Sequence, residues 1–145
     1  MTKKIHEQFQ EFLEKNDSRY STQKKTILTE VLKTKKHFEI EEFLLTLYKK
    51  NQKIGRATVY RTVKQLLEAG LIQKISTKDG KVYYESSPDQ VHLDHIICND
   101  CGKITEVKDP KIETLIKTHC EKLGFIPTYR SLHIYADCKD EKCNH

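Results

Sequence analysis

Apolar side chains recur at helical spacing four times in the first half of the chain, and the pattern then changes to alternation. Residues 3 to 15 predict a helix with Ile5, Phe9, Phe12 and Leu13 along one side. Ile27, Leu28, Val31 and Leu32 predict a second, with Ser21 or Thr22 as its N-cap. Ile40, Phe43, Leu44 and Leu47 predict a third from about Ile40 to Lys50. A fourth starts near Arg56 and stops at Gly70, a natural C-terminal cap. Two short strands follow, near Ile72 to Thr77 and Lys81 to Glu85, and the Asp79-Gly80 step between them is a strong hairpin signal. Helices followed by a hairpin are the parts of a winged helix-turn-helix. The polar stretch Ser86-Ser87-Pro88-Asp89-Gln90 reads as a linker, dividing the chain into residues 1–87 and 88–145. Beyond it, a strand through His92–Cys98 and a helix from about Pro110 to Leu123 are expected, with Cys120 as a core residue.

Composition adds limits to this outline. With 145 residues, 37% hydrophobic and no Trp, neither half can bury a large core alone, and a dimer interface or a structural metal would help both. No apolar run approaches the ~20 residues of a membrane span, so no membrane partner is expected. The N-terminal MTKKIHEQFQ has charge but no apolar stretch behind it, so a signal peptide is not expected either. Five cysteines in such a chain point to reduced thiols or metal ligands, and hence to the cytoplasm. Charge is unequally shared. Residues 1–87 carry 18 Lys+Arg against 11 Asp+Glu, and residues 88–145 carry 8 against 10. Every cysteine and five of the seven histidines lie in the second stretch. A basic half joined to a ligand-rich half suits a polyanion binder coupled to a metal sensor, although a solubilising charge bias has the same look.

The fourth helix carries the argument for DNA. Val59, Val63, Leu66 and Leu67 gather on one face, while Arg56, Ala57, Tyr60, Arg61 and Lys64 spread over the other. A basic and aromatic strip with a small residue at its start suits a helix entering the major groove. Arg can bind a guanine edge or a phosphate there, and a tyrosine ring can lie against a thymine methyl. A solvated surface face with a half-buried tyrosine is the plain alternative.

In the second half, Cys98-Asn-Asp-Cys101-Gly102 is a zinc-knuckle spacing, two thiolates two residues apart with a glycine for the turn. Cys138 and Cys143 form a second, looser pair 36 residues on, which makes a four-cysteine structural Zn(II) site attractive. A redox pair at Cys98 and Cys101 would need a thioredoxin-like context not seen here, and free thiols are the remaining option. In His92-Leu93-Asp94-His95, alternation puts His92 and Asp94 on one strand face and His95 on the other. Imidazole with carboxylate suits Fe(II), Mn(II), Zn(II) or Co(II). A thiol- or metal-dependent enzyme built on the same Cys/His cluster is the alternative of a different class, and it requires an open metal position or a low-pKa Cys in a cleft. A zinc-stapled protein-interaction module is a third.

Residues 55–72, GRATVYRTVKQLLEAGLI, closely resemble the recognition-helix stretch of the ferric uptake regulator (Fur) family. Arg19-Tyr20-Ser21-Thr22-Gln23-Lys24 looks like that family's entry to its second helix, with Thr22 in place of Pro and Lys24 in place of Arg. The resemblance extends over about residues 18–143. It implies an α+β fold, an N-terminal winged helix-turn-helix followed by a small α/β dimerisation domain, in a homodimeric repressor that binds double-stranded DNA. Tyr60 and Arg61 would contact the major groove, Arg19 a phosphate or the minor groove, and Lys24 and Lys64 phosphates. His37, Glu85, His95 and Glu106 would form a regulatory site for Fe(II), Mn(II) or Zn(II), and both cysteine pairs recur in relatives. A further family site would use His92, Asp94 and Glu113, completed by a His where this chain has Arg130. Many relatives also carry a His at the position of Leu93. Metal would favour a closed dimer on an A/T-rich inverted repeat. Glu106 leans towards an iron signal, with peroxide- and zinc-sensing regulators on the same scaffold as alternatives.

Overall fold

The computed structural model describes residues 2–34, 37–86, 94–128 and 130–143. The chain divides into two compact units, Met1–Ser76 with Val82–Gln90, and Thr77–Lys81 with Val91–His145. Residues 87–90 of the expected linker, together with His92 and Leu93, lie outside the described residues.

Four helices and a hairpin build the first unit. Helix α1 (Thr2–Lys15) buries Ile5, Phe9 and Leu13. Helix α2 (Thr22–Lys33) starts at Ser21, whose hydroxyl accepts the Lys24 N–H at 3.3 Å, and buries Ile27, Leu28 and Val31. Helix α3 (Ile40–Lys49) buries Ile40, Phe43 and Leu47, and α4 (Arg56–Glu68) buries Val59, Val63 and Leu66. These side chains form one apolar cluster, joined by Phe38, Leu71 and Ile72. At about 1.5–3 kcal/mol for each fully buried large aliphatic or aromatic side chain, this cluster is the main stabilising element of the unit. Helix α4 ends at Gly70 (φ +73°), where the Leu71 N–H reaches the Leu66 carbonyl and the Gly70 N–H that of Leu67, both at 3.0 Å. That is a Schellman closure, and it turns Leu71 back into the core beside Leu66.

Strands β1 (Ile72–Ser76) and β2 (Val82–Ser86) pair antiparallel, with Gln73 opposite Glu85 and Ile75 opposite Tyr83. Pairing stops at Ser76, one residue before the expected end. The Thr77 hydroxyl is committed to the turn, donating to Asp79 at 2.6 Å, while the Gly80 N–H reaches the Thr77 carbonyl. Phe38 bridges Tyr84 through two backbone hydrogen bonds of 2.8 Å, so the segment before α3 lies against the hairpin.

The second unit has strands β3 (Asp94–Cys98) and β4 (Ile104–Val107), helix α5 (Pro110–Lys122) and strand β5 (His133–Ala136). The sheet order is β4-β3-β5, with β3 antiparallel to β4 and parallel to β5. A parallel pair needs a long crossover, which β4 and α5 supply. Asp109 caps α5 by accepting the Lys111 N–H at 2.9 Å, ahead of Pro110 in the first turn. Ile97 and Cys98 are the buried apolar side chains of this unit among the described residues. Helix α5 buries no residue, and Leu115, Leu123, Phe125 and Ile126 stand exposed. Cys120 is therefore half-buried instead of the core residue that helical periodicity suggested. Among the described residues, no helix is long and apolar enough to cross a membrane.

Candidate metal centre and nucleic-acid interface

The turn after β3 brings the thiols together. Cys98 ends the strand, the Gly102 N–H closes onto the Cys98 carbonyl at 2.9 Å, and Gly102 takes φ +74°. Asn99 holds this turn to the far end of β5 through the Ala136 carbonyl and the Asp137 carboxylate, and Asp100 accepts the Cys138 N–H at 2.6 Å. The sulfurs of Cys98, Cys101 and Cys143 lie within 4.8 Å of one another, and Cys143 is hydrogen-bonded with Cys138. None of the five cysteines is in a disulfide. Bonds of about 2.3 Å to a tetrahedral zinc would set sulfurs roughly 3.8 Å apart, so the cluster fits that ion. The Cys143 thiol is pushed up to about 12, first by its hydrogen bond with Cys138 and then by desolvation and Cys101. Thiols crowded together without an opposite charge resist ionising, and a divalent cation relieves that resistance.

The four expected regulatory ligands fall into two pairs, one in each unit. In the first, the antiparallel bridge of Phe38 to Tyr84 sets His37 across from Glu85, with the His37 ring 4.9 Å from that of Tyr83. In the second, His95 on β3 pairs with Glu106 on β4. His95 is 1% exposed, while Glu106 is open and ion-pairs with Lys108 at 2.9 Å. Each pair presents one imidazole and one carboxylate on a common strand face, a donor set that fits a borderline divalent cation. His133 of β5 also stands in register with His95, their rings 5.6 Å apart. The parallel pairing of β5 with β3 puts it on the His95 face.

Asp94 and Glu113 are already engaged. Arg130 donates through Nε and Nη2 to the two Asp94 oxygens at 3.1 and 2.8 Å, and its Nη1 lies 2.9 Å from Glu113. The Asp94 side chain is 4% exposed. Its hydrogen bonds hold the guanidinium pKa above the ordinary arginine value, against the opposing effect of burial.

On α4, Arg56, Ala57, Tyr60, Arg61 and Lys64 are all exposed, opposite the buried Val59, Val63 and Leu66. The strip is not free of acid. Glu41 of α3 accepts the Tyr60 hydroxyl at 2.9 Å and pairs with Arg56. Hydrogen bonds from Tyr60 and then Arg56 hold the Glu41 carboxyl below its usual range. Glu41 is 15 and 19 residues from these partners, and no local pattern announces it. Arg19 is exposed, whereas the Lys24 ammonium is turned inward to the Ser18 hydroxyl (2.8 Å) and the Arg19 carbonyl (3.0 Å). Desolvation, and then the nearby Arg61 charge, lower the Lys24 pKa. Gln65 donates to the same Ser18 hydroxyl, tying α4 to the Arg19 loop.

A winged helix with an exposed basic helix, followed by a unit with clustered thiols and an imidazole–carboxylate pair, is the build of a metal-responsive transcriptional regulator. Residues 15–135 match the model described as the ferric uptake regulator family, and the chain belongs to that family. It is 39% identical over 104 residues to the ferric uptake regulation protein of Haemophilus ducreyi, covering 72% of this chain and 69% of that one. Among solved structures, it is similar to the Helicobacter pylori ferric uptake regulator, described as having three functional metal binding sites. There the TM-score is 0.76 at 26% identity, covering 100% of this chain and 95% of that one. The Pseudomonas aeruginosa ferric uptake regulator with manganese gives a TM-score of 0.77 at 27% identity, covering 88% and 96%.

Proposed function

We propose that this chain is a cytoplasmic, homodimeric repressor that binds an A/T-rich inverted-repeat operator when metallated, with iron as its signal. The observation that carries the reading is the exposed strip of α4 on a winged helix, in one chain with a three-thiol cluster. Tyr60, Arg61 and Ala57 read the major groove, while Arg19 and Lys64 serve the phosphates and Lys24, bonded to the Arg19 carbonyl, adds its charge beside them. The DNA-binding domain spans residues 1–87, and residues 88–145 serve dimerisation and metal binding. The exposed apolar residues Leu115, Leu123, Phe125 and Ile126 support a second copy as the cover of α5.

Cys98, Cys101, Cys138 and Cys143 hold the structural zinc, and His37, Glu85, His95 and Glu106 are the regulatory metal ligands. A divalent ion supplies the charge that two carboxylates and two imidazoles lack. Metal held by these ligands couples DNA binding to metal supply.

Fluorescence anisotropy on a labelled A/T-rich palindrome tests this. EDTA should abolish binding, and Fe(II) or Mn(II) should restore it. Restoration by Zn(II) alone would reassign the signal, and affinity unchanged in chelator would remove the switch. Affinity should also fall steeply with salt, as expected where several phosphates are neutralised.

A further inference from the structure

One acidic cluster of the second unit already contains a cation belonging to the chain. Asp94 lies on β3, Glu113 on α5 and Arg130 just ahead of β5, so the guanidinium ties together three separate parts of the unit. Its fork takes both Asp94 oxygens in parallel and spends the remaining Nη on Glu113. Arg130 and Asp94 are 14% and 4% exposed at their side chains, so the contact is an interior one. A buried carboxylate needs a permanent partner, and a guanidinium remains charged at any physiological pH. A metal bound by the same oxygens would displace these hydrogen bonds and sit against a like charge.

We propose that Arg130 is a resident cation that takes the place of a metal between Asp94 and Glu113. The link between β3 and α5 is therefore independent of metal supply, and the chain senses metal at one exchangeable site instead of two. The count of one rests on the His37/Glu85/His95/Glu106 reading; the role of Arg130 does not.

The test counts ions. The full-length chain, dialysed against EDTA so that only its tightly held zinc remains, is titrated with Mn(II), and free Mn(II) is followed by electron paramagnetic resonance. The wild type should take up one Mn(II) per chain, and Glu113→Gln should leave that number unchanged. Arg130→His, which exchanges the fixed cation for a ligand, should add one ion, and adding Glu113→Gln to it should remove that ion again. Wild-type uptake that falls by one on Glu113→Gln would overturn the proposal, and so would a folded Arg130→His chain that gains nothing. If Arg130→His does not fold, the wild type against Glu113→Gln decides alone. Uptake unaffected by His95→Ala would instead count against His95 as a regulatory ligand and leave the Glu113 comparison valid.

Discussion

Replacing Cys101 by Ser separates the two units most sharply. Cys101 is exposed at the knuckle, so the substitution leaves no cavity and touches only the thiol cluster. The apolar cluster of the chain belongs to the first unit, from Ile5 to Ile72, while Ile97 and Cys98 are the buried apolar side chains described in the second. Burying Ile97 contributes about 1.5–3 kcal/mol. A structural zinc on cysteine ligands contributes roughly 10–16 kcal/mol of folding free energy at neutral pH. With the proposed zinc bound, the metal term exceeds the packing term several-fold, so its loss should unfold the second unit and leave α1 to α4 intact. Hydrogen exchange read by mass spectrometry distinguishes the two. Peptides spanning β3, β4 and β5 should lose protection in Cys101→Ser, while those of α1, α2 and α4 keep it. On the proposed homodimer, loss of the second unit should separate the two copies and lower operator affinity by about 10²–10⁴, the usual advantage of a linked pair of sites. Full protection of β3 to β5 in a zinc-free Cys101→Ser chain would refute the claim that metal substitutes for a core.

Three more perturbations have definite signs. Glu41→Gln removes the acid that engages Arg56 and Tyr60, so non-specific DNA affinity should rise. The slope of log K against log salt should steepen by about 0.9 if Arg56 gains one phosphate; an unchanged slope would leave Arg56 out of the interface. Glu30 is 7% exposed and accepts from Lys50 at 2.5 Å and Lys33 at 3.3 Å. The Lys50 hydrogen bond is the chief reason its pKa lies below the ordinary glutamate value. A depressed folded pKa stabilises above the unfolded pKa and is lost as pH falls through the folded one. Glu30→Gln should accordingly cost about 1–3 kcal/mol at pH 7 by urea unfolding, with the gap to wild type closing in strong acid. Gly70→Ala meets open space around the new methyl but keeps φ +73°, so thermal unfolding should show a loss of about 1–2 kcal/mol from the backbone alone.

Much of the fold was legible because its signals are local. The 3.6-residue recurrence of Val59, Val63 and Leu66 and the cap at Gly70 define α4 within a few residues of their own positions. The Asp79-Gly80 step located the hairpin, although the Thr77 hydroxyl moved its ends by one residue. Exposure of Tyr60, Arg61 and Lys64 followed from the same periodicity.

Cysteine spacing alone marked a thiol cluster, since two ligands two residues apart already require one turn. What the sequence could not decide are the long-range pairings. Strand β5 is four residues long, and its parallel register with β3, which puts His133 beside His95, is set across more than thirty residues of chain. The Phe38–Tyr84 bridge that sets His37 across from Glu85, the Glu41 contacts on α4 and the Arg130 fork on Asp94 are equally non-local. Local periodicity is written in neighbouring residues, whereas which charge meets which is decided only when distant segments pack. The departure at Arg130 could be read from the sequence as a missing ligand; only the tertiary structure turned it into a cation bound to both carboxylates.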